Sequence, residues 1–324
     1  MRPRLQRLSY LFALTLAAGC GGRAPASDPG SALLPETERA VRGAPMRSWM
    51  LPEAKTEELL YVSNYFSGEV DVYKYGTSKL VGTLTGLNAP GGACSDAAGD
   101  VFVTEVRGAS ITEFAHGGTS PIATLVDTSF YPNDCAVDPT TGDLAVANLD
   151  GVPNPGNLAI YKHARGTPAF YYDRNRYIAY YYSCAYDADG NAYVDASFDG
   201  GGLVVDELPV GARSLTRLRY PQHPFGSAMG WDGRHVTLGD DGNRLYRFTA
   251  GPDRKRVYKE GRSVLQNAAG GLSEVWFQPH GGGMQVVGTA SVANAVQIWA
   301  YPSGKLLVTV GTGFDDPDGV TVSR

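Results

Sequence analysis

Hydrophobic and polar positions recur along the chain as one phrase: an apolar strand, an Asp, a short turn containing Gly, and a second apolar strand. Cys94-Ser95-Asp96 leads through Gly99 to Val101-Phe102-Val103, Ala136-Val137-Asp138 through Gly142 to Leu144-Ala145-Val146, and Ala185-Tyr186-Asp187 through Gly190 to Ala192-Tyr193-Val194. A fourth copy, Gly230-Trp231-Asp232-Gly233-Arg234-His235-Val236, has a shortened turn, and in a fifth Gln278 takes the Asp position after Trp276-Phe277. Gly319-Val320-Thr321-Val322-Ser323 supplies the first strand of a sixth. The marker positions 96, 138, 187, 232, 278 and 323 are spaced by 42, 49, 45, 46 and 45 residues. A second marker, an alternating strand running into a Gly turn, keeps the same period at 70–76, 111–117, 158–166, 203–211, 245–251 and 296–304. Each period therefore holds about four short strands.

Four strands per period are the content of one propeller blade. The ends of the pattern complement each other: Leu59-Leu60-Tyr61-Val62-Ser63-Asn64 is a second-type strand with no first-type strand before it, and 319–323 is a first-type strand with nothing after it. Pairing the two would close the ring and cover both edges. The expectation is an all-β chain: a single monomeric six-bladed β-propeller over 57–324, closed by pairing of its N- and C-terminal strands.

Upstream, Arg2, Arg4 and Arg7 precede an apolar run at 8–18, which reads as a signal peptide over 1–19. The run falls short of the roughly 20 residues that span a hydrocarbon core. Ala17-Ala18-Gly19-Cys20 resembles the lipobox of bacterial lipoproteins. That resemblance implies a diacyl group on Cys20, holding the rest of the chain at a membrane without crossing it. Gly21 stands where the sorting pattern of such proteins uses Asp for inner-membrane retention, so the expected address is the outer membrane, facing the periplasm or the cell surface. Residues 20–56, with Pro25, Pro29, Pro35, Pro45 and Pro52, read as a tether whose Trp49-Met50-Leu51 docks on the flank of the folded region.

Composition sharpens this picture. With 41 Gly and 20 Pro in 324 residues, many short elements joined by turns are favoured over a helical bundle, and 43% hydrophobic content rules out disorder of the whole chain. Removing residues 1–19 takes away three arginines and no acids, moving the formal net charge from −5 to −8. A negative chain without a basic run is not a nucleic-acid binder. Once Cys20 is lipidated, Cys94, Cys135 and Cys184 remain, an odd number that cannot all pair internally, and small apolar core filling is their expected role. The histidines His116, His163, His223, His235 and His280 are scattered, and no HExxH, GxSxG, Walker loop or G-x-G-x-x-G occurs.

In a propeller the first strand of each blade lines the central channel, and the residues leading into it ring one mouth. Counting back from the markers places Asn133, Asp134, Glu274 and Asp318 there, and the ends of neighbouring strands add Asn64, Glu105, Asn148 and Asp240. Converging carboxylate and amide oxygens suit Ca²⁺. The same residue types cap turns between strands, so both readings stand. Asp187-Ala188-Asp189-Gly190-Asn191 looks like the start of a calcium loop but occupies the turn that every unit repeats. The run Phe170-Tyr171-Tyr172, Tyr177 and Tyr180-Tyr181-Tyr182 offers either a stacking platform for a glycan or peptide or blade packing.

Pro90-Gly91-Gly92-Ala93-Cys94-Ser95-Asp96 and Pro317-Asp318-Gly319-Val320-Thr321-Val322 resemble the NHL-type repeat phrase, and the whole chain looks like uncharacterised bacterial lipoproteins of that type. Tyr131-Pro132-Asn133-Asp134 is similar to the Pro-Asn-Asp-Gly phrase of the regucalcin and gluconolactonase family. This second resemblance implies a divalent-cation site with Asn133 and Glu274 as ligands and with Asp318, itself a candidate ligand, at the position of that family's catalytic Asp. Here, however, the Glu precedes the Asp by one unit, and Cys135 stands where that family has Gly. Two functions follow: a membrane-anchored binding or scaffold module for a protein, glycan or small ligand, or a metal-dependent lactonase or lyase at the polar mouth.

Overall fold

The computed structural model describes residues 47–127, 131–149, 155–173, 178–198, 202–219, 228–240, 242–251, 257–311 and 313–324. Cys20 and the segments assigned to leader and tether before Arg47 lie outside the described residues, as do Tyr177 and His223. The folded unit runs from Arg47 to Arg324.

Strands make up nearly all of its regular structure. They are β1 (Trp49–Met50), β2 (Leu59–Asn64), β3 (Glu69–Lys74), β4 (Leu80–Thr85), β5 (Pro90–Ser95), β6 (Val101–Glu105), β7 (Ser110–Phe114), β8 (Pro121–Val126), β9 (Tyr131–Val137), β10 (Leu144–Leu149), β11 (Asn157–Tyr161) and β12 (Ala169–Tyr171). There follow β13 (Ile178–Tyr186), β14 (Ala192–Phe198), β15 (Leu203–Leu208), β16 (Thr216–Leu218), β17 (Met229–Trp231), β18 (Val236–Gly239), β19 (Arg244–Ala250), β20 (Val257–Val264), β21 (Glu274–His280), β22 (Gly283–Ala290), β23 (Ala295–Tyr301), β24 (Lys305–Val310) and β25 (Pro317–Ser323). Three sheets are four-stranded meanders, β5-β6-β7-β8, β17-β18-β19-β20 and β21-β22-β23-β24. A fourth has the order β1-β4-β3-β2-β25. The largest joins two antiparallel runs, β9-β10-β11-β12 and β13-β14-β15-β16, through one bridge between Leu149 and Tyr180. The arrangement is all-β and propeller-like, and its sheets follow the repeat read from the sequence.

Burial explains why the strands differ in composition. β2, a second strand, is buried at every position, whereas the outer strand β8 is mostly exposed and β24 alternates toward solvent. Apolar clusters sit between neighbouring sheets: Leu59, Tyr61 and Val72 pack against Val103 and Phe114, and Phe102 and Ile111 pack against Leu144 and Tyr161. The repeated Asp is a turn device. Asp96 and Asp187 each accept N–H bonds from residues two and four positions on, closing the hairpin between first and second strands. In the shortened copy Asp232 takes the N–H groups of Arg234 and His235 instead. The stretch beginning at Asp187 is thus the blade turn, with Asn191 Nδ2 and the Tyr193 hydroxyl donating to its second oxygen at 2.8 and 3.1 Å.

Two expectations need revision. The folded unit begins before residue 57, because β1 adds to the sheet edge at β4, Trp49 opposite Thr83 and Met50 opposite Gly82. Gly82 permits this approach: a Cβ there would lie 2.1 Å from Met50 Sδ. The expected docking of Trp49-Met50-Leu51 is therefore a strand addition, and it covers an otherwise bare edge. The second revision concerns the cysteines. Cys94 and Cys135 form a disulfide between β5 and β9, with Cα atoms 5.7 Å apart, so only the buried Cys184 keeps the small-filler role. The cysteine count alone did not reveal this, since pairing depends on how neighbouring first strands face each other. Closing a loop with a sequence separation of 41 removes unfolded-state entropy worth about 4 kcal/mol. Cys94→Ser should lower the melting temperature accordingly, and dithiothreitol should do the same to the wild type but not to the variant.

Candidate functional site

The positions counted to the mouth coincide with irregularities in the strand ladders. Register breaks fall at Gly91-Gly92 in β5, near Asn133 in β9, at Tyr182-Ser183 in β13 and at Asp318-Gly319 in β25. A bulge frees N–H groups from the ladder and leaves them needing new acceptors. Buried carboxylates meet that need. Glu274 Oε1 accepts from Val320 N at 2.9 Å and Ala93 N at 3.4 Å, while Asp134 accepts from Cys135 N at 2.6 Å and Cys184 N at 2.9 Å. Asp195, on β14, takes both Ser183 N and Ser183 Oγ at 2.7 Å, and Ser183 Oγ in turn accepts from Met229 N at 3.0 Å. The first strands are stitched to one another by acids. Glycine makes the close approach possible, since a Cβ on Gly319 would lie 2.1 Å from Gly91 O and one on Gly92 2.6 Å from Asp134 Cα.

Electrostatics follow from this burial. Desolvation pushes Asp134 up to about 8, and it raises Glu274 well above the usual carboxyl range with added repulsion from Asp134 and then Asp318. Burial likewise lifts Asp195 and Asp318 to about 7, the latter with help from Asp316.

The other predicted residues are framework groups. Asn64 gives its amide N–H to Asp71 Oδ2 and accepts from Asp315 N, both at 3.1 Å, lacing β2 to the approach to β25. Glu105 accepts from Asn88 N at 2.8 Å, and Asn148 donates to Asp127 Oδ2 and Asn157 Oδ1 at 3.0 Å. Asp240 caps its own turn through Gly242 N and Arg244 N. Asn133 donates to Tyr182 O at 2.7 Å, so it and Glu274 serve separate backbone partners. Among the described residues, no group of three or more His, Cys, Asp or Glu side chains is placed to hold one metal ion. The tyrosine run divides: Tyr181 is buried and accepts from Asp173 N, while Tyr180 stacks on Tyr182 with centroids 6.1 Å apart.

Asp134 and Glu274 also line a half-open cavity of about 240 Å³ between the first strands. They lie toward the N-terminal ends of those strands. The walls come from later positions: Tyr186 on β13, Met229 and Trp231 on β17, Trp276 and Phe277 on β21. The result is an apolar, aromatic well with an acid pair at one end. Sequence counting found the acids but missed the walls. Their signal was available, because Val137, Tyr186, Trp231 and Phe277 each directly precede a repeat marker, so one register position supplies much of the lining.

No protein-family profile and no curated protein matches the chain. Among solved structures it is similar to a chain of the nidogen/laminin complex, with TM-score 0.64 and 15% identity over 82% of this chain and 98% of that one. It is also similar to a functionally unknown protein from Desulfotomaculum acetoxidans DSM 771, with TM-score 0.55 and 10% identity over 82% and 99% of the two chains. At such identities the likeness is one of fold.

Proposed function

We propose that the chain is an extracytoplasmic binding module: a six-bladed β-propeller of NHL-like repeat type, lipid-anchored through Cys20, that takes a small ligand into the aromatic well. The well carries this reading, since a concave, largely apolar cavity with a few convergent polar groups is the usual form of a small-molecule site. Six blades are supported by the single bridge dividing the largest sheet and by the pairing of β2 with β25, Leu59 opposite Ser323 and Val62 opposite Val320. Packing of Val287 and Ile298 against Leu60, Val62 and Val320 supports closure in the same place. An oxidising compartment and the leader-like pattern ending at Cys20 agree with the disulfide between Cys94 and Cys135. The lactonase or lyase alternative gains no such support, because Asn133 and Glu274 are engaged with Tyr182, Ala93 and Val320.

Two experiments test this reading. Single-ring aromatic probes, namely benzyl alcohol, benzylammonium and benzoate, should include at least one that alters tryptophan fluorescence and raises the melting temperature. Ala136→Phe, which fills the well from its wall, should abolish that response; no response to any probe, or one indifferent to the substitution, would remove the well as the site. For the anchor, Cys20→Ser should move the protein from the membrane to the soluble fraction, and unchanged partitioning would show that lipid on Cys20 is not what holds it.

A further inference from the structure

We propose that Gln278 is a positioning residue for the well: it holds the Trp276 indole as a fixed flat wall, and the well in consequence selects a planar ring over a saturated ring of the same size. This inference rests on the well being the ligand site, and it adds the shape of the ligand and the residue that enforces it. Gln278 stands where the other complete copies of the repeat have Asp. Asp96, Asp138, Asp187 and Asp232 each accept an N–H bond from the residue two places on, which caps the turn. The fifth hairpin closes by another device. β21 and β22 pair as far as His280 opposite Gly283, and the two residues between them, Gly281 and Gly282, have φ of 62° and 80°. Positive φ at both central positions gives a two-residue turn that follows the strand twist, and Gly adopts it without strain. The side chain at the marker position is therefore released from capping.

It is used instead to orient a wall of the well. Gln278, only 5% exposed, accepts from Trp276 Nε1 at 3.0 Å and donates through Nε2 to Glu58 Oε1 at 2.5 Å. An indole N–H can only donate, so the amide oxygen must face Trp276 and the amide nitrogen must face the Glu58 carboxyl. Glu58 is held in turn by His280, whose Nδ1 lies 2.8 Å from Oε2. Rotating the indole away would leave a buried acceptor and a donor without partners, which opposes any other ring orientation. The adjacent wall is braced as well. Phe277 packs edge-on against Tyr301, with centroids 4.9 Å apart and planes at 80°, and the Tyr301 hydroxyl donates to Asp232 Oδ2 at 2.6 Å.

Trp276 and Phe277 line the cavity together with Tyr186 and Trp231. Rings fixed from behind present surfaces that do not adapt to an occupant. A planar ring can meet them in offset-stacked or edge-to-face contact, whereas a puckered saturated ring is thicker and has no π face or polarised edge to match theirs. About 240 Å³ suits one such ring with a short substituent.

The test compares benzyl alcohol with cyclohexylmethanol by calorimetry on the full-length protein. The two probes are uncharged and carry the same hydroxymethyl group, so their affinity ratio reports ring shape. The wild type should bind benzyl alcohol at least about fivefold more tightly, within the range of aromatic pair contacts. Gln278→Met, similar in length but unable to accept from the indole and donate to Glu58 as the amide does, should bring the ratio to within about twofold while leaving cyclohexylmethanol affinity nearly unchanged. A purely structural role would weaken both probes alike and preserve the ratio, and that result would overturn the inference. Should Gln278→Met not fold, Trp276→Phe removes the indole and its tie together, and the same fall in the ratio is expected; an unchanged ratio would overturn Trp276 as the discriminating wall. Equal binding of the two alcohols by the wild type would overturn selection for planarity and leave the well standing as a ligand site. Binding of neither alcohol would also overturn the inference, and the well falls with it only if benzylammonium and benzoate are silent too.

Discussion

Deletion of residues 317–324 is expected to abolish the cooperative unfolding transition. β25 pairs along β2 and contributes Val320 and Val322, both buried, to the cluster that also holds Leu60, Val62, Val287 and Ile298. Exposing each valine's site forfeits about 1.5–3 kcal/mol. The larger loss is architectural, because β2 and the first strands on either side of β25 would be left with unpaired backbone and unfilled flanks. Val320 N is also a partner of Glu274, so the deletion leaves that carboxyl with one fewer donor. Against a marginal total of about 5–15 kcal/mol, the combined loss is enough to unfold the unit or drive it to aggregate. Calorimetry or urea titration of the truncated chain checks this. A melting curve superimposable on the wild type would refute the proposed closure of the ring by β2 and β25.

Stability should fall as pH is raised from 5 to 8.5, the reverse of what paired surface carboxylates give. Asp134 has its pKa raised to about 8, and Asp195, Asp206 and Asp318 to about 7, from an ordinary value of 3.8. In each case burial is the largest cause. A carboxyl with a raised pKa binds more protons folded than unfolded, so its contribution is complete below about pH 4 and lost as pH climbs through about 7 to 8. At Asp138 and Asp232 desolvation is outweighed by the combined hydrogen bonds of Thr141 and Thr140 and of Tyr301, His235 and Arg234, so both are held low, act in the opposite sense, and lose their contribution only in strong acid. The melting temperature should therefore peak in mildly acidic solution and drop by several degrees or more by pH 8.5. Asp195→Asn should flatten part of that decline, since an amide oxygen can still accept from Ser183 N and Ser183 Oγ. A curve that is level or rises over this range would contradict the raised pKa values.

The repeat was legible because it is local. An Asp that closes a hairpin through its own neighbours' N–H groups needs only a few residues of context, and Asp96, Asp187 and Asp232 do so within four positions. Alternation of apolar residues is equally local, so strand order and the placement of four strands per period could be read from residues alone. Counting back from the markers at 138 and 278 reached Asp134 and Glu274, which the structure places in one cavity. The same counting could not tell them from Asn64, Glu105, Asn148 and Asp240, whose partners are framework groups fixed by neighbouring strands and loops.

Period, strand content, the repeated turn and the acidic register are thus properties of short stretches of this chain, and short-range hydrogen bonding and alternation are sufficient to specify them. Everything that depends on which first strands face each other belongs to the assembled fold. The bulges orphan N–H groups that carboxyls from elsewhere in the chain then satisfy; Cys94 reaches Cys135 because β5 lies beside β9; Trp231 and Trp276 become walls because their strands enclose a space. These are contacts across about 40 to 180 residues of sequence, and no local pattern encodes them, because their energy arises only once the backbone has excluded water from the centre.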